Sequence, residues 1–159
     1  MNNLPKPDLR NPVHFLAFGF GSGLSPKAPG TMGTIAAIPV FLIISNLNLL
    51  SYLVVLFVVI FTGFKICDAA SKDLGVHDHP GIVWDEIAGF LITMIAIPVS
   101  WQTVLLGFLL FRLFDILKPW PIGWLDKKVS GGFGIMIDDI VAGVMAWLVL
   151  QLVIGINLI

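Results

Sequence analysis

The chain has 159 residues, 57% of them hydrophobic and 12% charged, with a formal net charge of -1 and a mean hydropathy of +0.96. That balance excludes an ordinary soluble globular domain and points to a polytopic membrane protein of one domain, residues 1–159. No basic run or aromatic-basic interleave suits nucleic acid, and the single cysteine, Cys67, excludes an internal disulfide and a cysteine-based metal cluster.

Residues 1–12 carry prolines and mixed charges with no signal-type apolar stretch behind them, so the chain is expected to keep its start. Val13-His14-Phe15-Leu16-Ala17-Phe18 is apolar but far short of the roughly 20 residues that span a bilayer, which predicts an interfacial or partly buried helix. Residues 19–31 form a stretch rich in glycine, hydroxyls and proline with one lysine, Lys27. Ending at a helix N-terminus, such a loop can offer backbone N–H groups to an anion. It lacks the spacing of a Walker loop, and a plain linker is the alternative.

Apolar runs follow at 33–47 and 52–64, the second continuing through Cys67 and Asp68 to Asp73. The loop at 74–81 contains His77, His79 and Pro80, and its proline and glycines break any continuous helix. A third run follows Asp85-Glu86, the latter the only glutamate in the chain, and stops at Pro98. The fourth starts at Thr103 and ends in Phe111-Arg112-Leu113-Phe114-Asp115-Ile116-Leu117-Lys118-Pro119. Lys127-Lys128 and a glycine-rich 131–134 lead to Asp138-Asp139 and a last run at 140–159.

The expected fold is therefore an all-α bundle of about five transmembrane helices with an interfacial N-terminal segment. Alternating direction puts the lead, 71–84 and 118–137 on one side, and 45–51, 98–102 and the C-terminus on the other. All the charged residues fall on the first side, which should be cytoplasmic by the excess of Lys and Arg in short inner loops. Several runs are nearer 16–18 residues than 20, which implies tilt or local thinning of the bilayer.

This topology brings Asp85 with Glu86, Asp115, and Asp138 with Asp139 to one membrane face. Asp85-Glu-Ile-Ala-Gly89 and Asp139-Ile-Val-Ala-Gly143 share a pattern in which acid and glycine, four apart, lie on one helix face. Small residues there let neighbouring helices approach closely, which turns the acids toward the bundle interior. Mutual repulsion would raise the pKa of some of these grouped carboxylates, whereas a hard divalent cation would keep them ionised and bridge them, and oxygen ligands without cysteine favour Mg²⁺. The competing reading is that the acids cap helix N-termini in the headgroup region.

Basic groups beside such a site suggest an anionic substrate, phosphate above all. Arg112 and Asp115, three apart, can equally be an intrahelical pair, and Lys118 at a helix C-terminus is favourable without any ligand. His77 and His79 can move protons or bind metal, or serve as ordinary loop residues. The Cys-x5-Arg and Asp-x-Asp-x-Thr nucleophile motifs and the Asp-Gly-x2-Ala-Arg motif of CDP-alcohol transferases are all missing. Two arginines in the whole chain leave no site of the vanadium-haloperoxidase-like kind.

Four stretches together resemble phosphatidylglycerophosphatase A: Gly-Phe-Gly-Ser-Gly-Leu-Ser-Pro-Lys-Ala-Pro-Gly-Thr at 19–31, Val-His-Asp-His-Pro-Gly-Ile-Val-Trp-Asp-Glu at 76–86, Phe-Arg-Leu-Phe-Asp-Ile-Leu-Lys-Pro-Trp-Pro at 111–121 and Gly-Ile-Met-Ile-Asp-Asp-Ile-Val-Ala-Gly at 134–143. The likeness runs in register over nearly the whole chain. It implies a Mg²⁺-dependent phosphatase of the bacterial inner membrane, with a cytoplasmic active site, that converts phosphatidylglycerophosphate to phosphatidylglycerol. No obligate protein partner is implied.

On that resemblance Asp85, Glu86, Asp138 and Asp139 hold Mg²⁺, and Asp85, Glu86, Asp115 and Asp139 form the catalytic set. Lys27, Thr31, His79, Arg112 and Lys118 are expected to bind the substrate, with water activated by metal or by Asp115. An aspartyl-phosphate intermediate is the alternative route. The rival classes are an ion or proton transporter, which places ionisable groups near the bilayer midplane, and a purely structural membrane subunit.

Overall fold

The computed structural model describes residues 4–76 and 79–156. Among the described residues all regular structure is helical, as expected: α1 (Pro12–Ala17), a 3-10 turn (Gly19–Leu24), α2 (Pro29–Ile44), α3 (Leu49–Leu74), α4 (Trp84–Thr93), α5 (Trp101–Leu117), α6 (Ile122–Lys128) and α7 (Gly131–Gly155). Local signals set several ends. The Asn48 side chain accepts the Ser51 amide at the start of α3, and Gly75 closes that helix in the left-handed conformation (φ 64°). Ser100 and Thr103 form a capping box that opens α5.

Two helices, α3 with 26 residues and α7 with 25, are long and apolar enough to cross a membrane. At about 1.5 Å per residue each exceeds the ~30 Å hydrocarbon thickness of a bilayer. α2 and α5, with 16 and 17 residues, are shorter than that. Large apolar side chains face outward from all four, among them Ile43, Leu50, Phe57, Leu109, Leu113, Leu148 and Leu152. So many large exposed apolar side chains are unusual for a protein surrounded by water.

The third apolar run departs from expectation. Instead of one helix to Pro98 it makes the 10-residue α4, in which every residue except Asp85 and Glu86 is buried. The chain then turns irregularly, with Ala96 left-handed (φ 54°). Neighbouring helices supply the hydrogen bonds that a continued helix would have made. The Tyr52 hydroxyl donates to the Leu91 carbonyl (2.6 Å), the Trp147 indole N–H to that of Ile95 (2.9 Å), and the Thr103 hydroxyl to that of Pro98 (2.7 Å). Non-helical backbone in an apolar setting persists only where protein satisfies it this way.

α4 crosses α7 at the paired glycines anticipated from the repeated motif. A Cβ on Gly143 would overlap the Gly89 carbonyl oxygen, and one on Gly89 would lie 2.8 Å from the Asp139 carbonyl oxygen. Thr93 Oγ1 clasps the crossing by donating to Gly89 O (3.0 Å) or Gly143 O (3.3 Å). Since each acid precedes its glycine by one turn, the crossing brings the acidic ends of both helices together.

The glycine-rich 131–134 stretch, expected as loop, forms the first turn of α7. Gly132 lies against the Phe64 carbonyl of α3, where any side chain would collide, and its amide donates to Asp68 Oδ1 (3.2 Å). Asp138 and Asp139 consequently sit inside α7, not at its mouth. The 118–137 loop also contains α6, and the N-terminal segment docks α1 on the bundle through Val83 N–H to Ala17 O (2.8 Å).

Candidate active site

Asp85, Glu86, Asp115, Lys118, Asp126, Asp138 and Asp139 line one cavity of about 190 Å³, closed by Pro80, Ile82, Val129 and Gly134–Ile135. The first two come from the first turn of α4, Asp115 from the last turn of α5, and Asp138 and Asp139 from α7. Capping does not account for these acids. The residue before α4 is Val83, with no side-chain cap, and Asp138 and Asp139 lie two turns into their helix.

Arg112 joins the site one turn before Asp115. Its Nη1 lies 2.5 Å from Asp115 Oδ2 and 3.8 Å from Glu86 Oε1, and donates at 3.5 Å to the hydroxyl of Thr34, a buried residue of α2. The expected intrahelical pair therefore exists, and it also reaches two other helices. Gly30 in the first turn of α2 fits against this pair. A Cβ there would collide with Glu86 Oε1 and sit 3.2 Å from both terminal nitrogens of Arg112. The glycine-rich segment thus ends with bare backbone beside the acids.

Lys118 follows the last residue of α5 in the left-handed conformation (φ 43°, ψ 53°). Its Nζ contacts Asp126 Oδ1 at 2.5 Å and Asp138 Oδ2 at 2.6 Å. Burial pulls the pKa of this ammonium down, but its hydrogen bonds to Asp126 and Asp138 and their charges outweigh that, so it is raised above the ordinary lysine range.

Not every expected site residue gathers here. Lys27 is exposed on the loop before α2, Thr31 is half-buried one residue beyond Gly30, and neither lines the cavity. His79 is buried against Phe18, with ring centroids 5.2 Å apart. Its Nδ1 accepts the Gly81 amide (3.1 Å), and Nε2, which then carries the proton, donates to Pro5 O (3.2 Å). It lines a separate cavity under the N-terminal lead, which touches the acidic one only through Pro80. His77 lies outside the described residues. Asp126, by contrast, went unnoticed in the sequence beside Lys127-Lys128, and Pro119 and Pro121 break any helix that would put it on one face with Lys118. The signal available was an acid inside the short segment that connects two acid-bearing helices.

Six acids against Lys118 and Arg112 leave a formal excess of four negative charges around one small cavity. Asp85 Oδ1, Glu86 Oε2, Asp138 Oδ1 and Asp139 Oδ2 are buried with no hydrogen-bond partner, a costly state for carboxylate oxygens unless a cation meets them. One oxygen from each of Asp85, Glu86 and Asp139 lies within 4.8 Å of the others. Octahedral Mg²⁺, with bonds of about 2.1 Å, spaces its ligands roughly 3 to 4 Å apart, and hard oxygen donors are the set it takes. The residues present fit such an ion.

The family model described as phosphatidylglycerophosphatase A matches residues 15–154. The chain belongs to the phosphatidylglycerophosphatase A family. It is 53% identical over 139 residues to the Phosphatidylglycerophosphatase A of Escherichia coli strain K12, covering 87% of this chain and 81% of that protein. It is 50% identical over 155 residues to the Haemophilus influenzae protein of the same name, covering 93% and 92%. A Bacteroides thetaiotaomicron protein named "Putative phosphatidylinositol-3-phosphatase" is 34% identical over 139 residues, covering 83% and 87%. No solved structure matches the chain. As a phosphatidylglycerophosphatase A family member the protein is a phosphoric monoester hydrolase of phospholipid metabolism.

Proposed function

We propose that the protein hydrolyses the terminal phosphomonoester of phosphatidylglycerophosphate to phosphatidylglycerol and phosphate, with Mg²⁺ in the acidic cavity. The observation that carries this reading is the convergence of unpartnered buried carboxylate oxygens from two crossing helices on one cavity. The three relatives above bear names of phospholipid headgroup phosphatases, and those at 53% and 50% identity are named Phosphatidylglycerophosphatase A.

Asp85, Glu86 and Asp139 would hold the ion, joined by the free oxygen of Asp138, and Mg²⁺ when bound supplies charge to offset the negative charge that builds on the phosphoryl oxygens. Arg112 and the bare backbone at Gly30 orient the phosphate, Arg112 through its buried and unpartnered Nε side. Two of the three Lys118 protons are taken by carboxylates, which leaves the third for a phosphate oxygen. Asp115 accepts a proton from the attacking water. The water oxygen bonds to phosphorus, the P–O bond to glycerol breaks, and the departing glycerol oxygen takes up the proton that Asp115 accepted, which restores the carboxylate. Lys27, Thr31 and His79 lie outside the acidic cavity, and His79 ties down the N-terminal lead through Pro5 O.

The membrane reading is a five-crossing protein of the bacterial inner membrane, with α4 and the irregular segment after it as an enclosed third crossing. Exposed Trp101 at one end of α5 and Trp120 and Trp124 beyond the other support it. Aromatic residues favour the two interfaces, and about 26 Å of helix separates these. The acid-bearing ends then face the cytoplasm with Lys6, Arg10, Lys72, Lys127 and Lys128.

The test is phosphate release from phosphatidylglycerophosphate by purified protein in detergent, with Mg²⁺ or with chelator, alongside Asp85→Asn and Asp139→Asn. We expect release that requires the metal and falls at least ~10³-fold in either variant, about 4 kcal/mol of transition-state stabilisation. Folded wild-type protein that releases no phosphate with any divalent ion would sink the assignment. Preferential release from phosphatidylinositol 3-phosphate would move the substrate and keep the class.

A further inference from the structure

We propose that Asp126 is a positioning residue: it holds Lys118 Nζ on one oxygen of Asp138 and so presents the other Asp138 oxygen to the cavity. This rests on the metal-binding reading above.

Three independent features converge on it. Lys118 Nζ lies 2.5 Å from Asp126 Oδ1 and 2.6 Å from Asp138 Oδ2, while Asp138 Oδ1 is buried with no partner. A carboxylate gripped at one oxygen has its other oxygen aimed, in the way outer hydrogen bonds orient metal ligands. Second, Lys118 occupies a left-handed conformation (φ 43°) that L residues rarely adopt, and this turns the chain from α5 straight toward α6. Third, α6 is folded tightly back on that corner. The Ile122 amide donates to Pro119 O (2.8 Å), and a Cβ on Gly123 would lie 2.7 Å from Lys118 O. That return is what brings Asp126 to a lysine eight positions earlier.

A lysine beside a metal site works against the ion by charge alone. Its presence is therefore informative, because the sign of its effect separates two roles. If Lys118 acts only through space, removing it makes the cavity more negative and tightens cation binding. If it orients Asp138, removing it loosens cation binding although a positive charge has gone.

The experiment measures Mn²⁺ binding by paramagnetic resonance on the full chain in detergent, with folding checked by circular dichroism. Lys118→Met and Asp126→Ala are each expected to bind Mn²⁺ roughly 10- to 100-fold more weakly than wild type. The double variant should bind no more weakly than Lys118→Met, because Asp126 acts through the lysine. Asp126→Asn keeps an oxygen within reach of Nζ and should recover most of the affinity. Lys118→Gln is a second replacement should Lys118→Met not fold. Lys118 variants that bind Mn²⁺ as tightly as wild type, or more tightly, overturn this inference alone. Wild type that binds no Mn²⁺ overturns the metal reading and this inference with it.

Discussion

Replacing Gly143 by alanine tests whether the α4–α7 crossing sets the geometry of the acids. The added Cβ would overlap the Gly89 carbonyl oxygen and lie 3.1 Å from both Gly89 C and Cα. These are backbone atoms of a buried helix and have no rotamer to escape through, so the helices must part by roughly 1 Å to restore ordinary contact. Overpacking of this kind costs about 1–3 kcal/mol, and the better helix propensity of alanine returns about 1 kcal/mol. The protein should therefore stay folded. Asp139 lies one turn before Gly143 and Asp85 one turn before Gly89, so the parting moves the two carboxylates relative to each other. A misplacement of about 1 Å at a reacting centre costs on the order of 10²-fold in rate, or about 2.7 kcal/mol. Phosphate release from phosphatidylglycerophosphate should fall by that factor while thermal unfolding shifts only modestly. Gly155→Ala, where nothing lies within 4 Å of the added carbon, is the matched control and should change neither. Full wild-type activity in Gly143→Ala would refute the idea that this crossing spaces the acids.

Gly30→Ala should reduce activity in a different way, because its Cβ intrudes on Glu86 Oε1 and the two Arg112 terminal nitrogens. The expected outcome is a KM for substrate raised about tenfold, roughly 1.4 kcal/mol, and steady-state kinetics showing an unchanged KM would remove Gly30 from the phosphate site. Tyr52→Phe deprives the Leu91 carbonyl of its donor far from the acids. It should lower stability by about 1 kcal/mol and leave kcat close to wild type, as denaturation and turnover measured on one preparation would show. A stability unchanged by this variant would mean that the break after α4 does not depend on that bond.

The sequence by itself determined the class of this molecule. Composition required an apolar helical bundle, and the apolar runs located α2, α3, α5 and α7, because apolar content and the turn residues that interrupt it, such as Asn48 and Ser100, are local properties. The paired Asp-x3-Gly motifs even foretold a close helix approach, since acid and glycine must share a face wherever a helix forms. Only the tertiary structure decided where α4 stops and where α7 starts. Apolar content alone could not reveal that α4 ends at Thr93, because the carbonyls of Leu91 in its last turn and of Ile95 and Pro98 beyond it find donors on Tyr52, Trp147 and Thr103 from three other helices. Nor could it reveal that Gly132 lies in the first turn of α7, held by Asp68 and Phe64 of α3. The site divides along the same line. Charge that a lipid-facing sequence can ill accommodate marked Asp85, Glu86, Asp115, Asp138 and Asp139. The partnership of Asp126 with Lys118, the contact of Gly30 with Glu86 and Arg112, and the separate lodging of His79 depend on how chain segments fold back on one another. Sequence spacing carries no record of that.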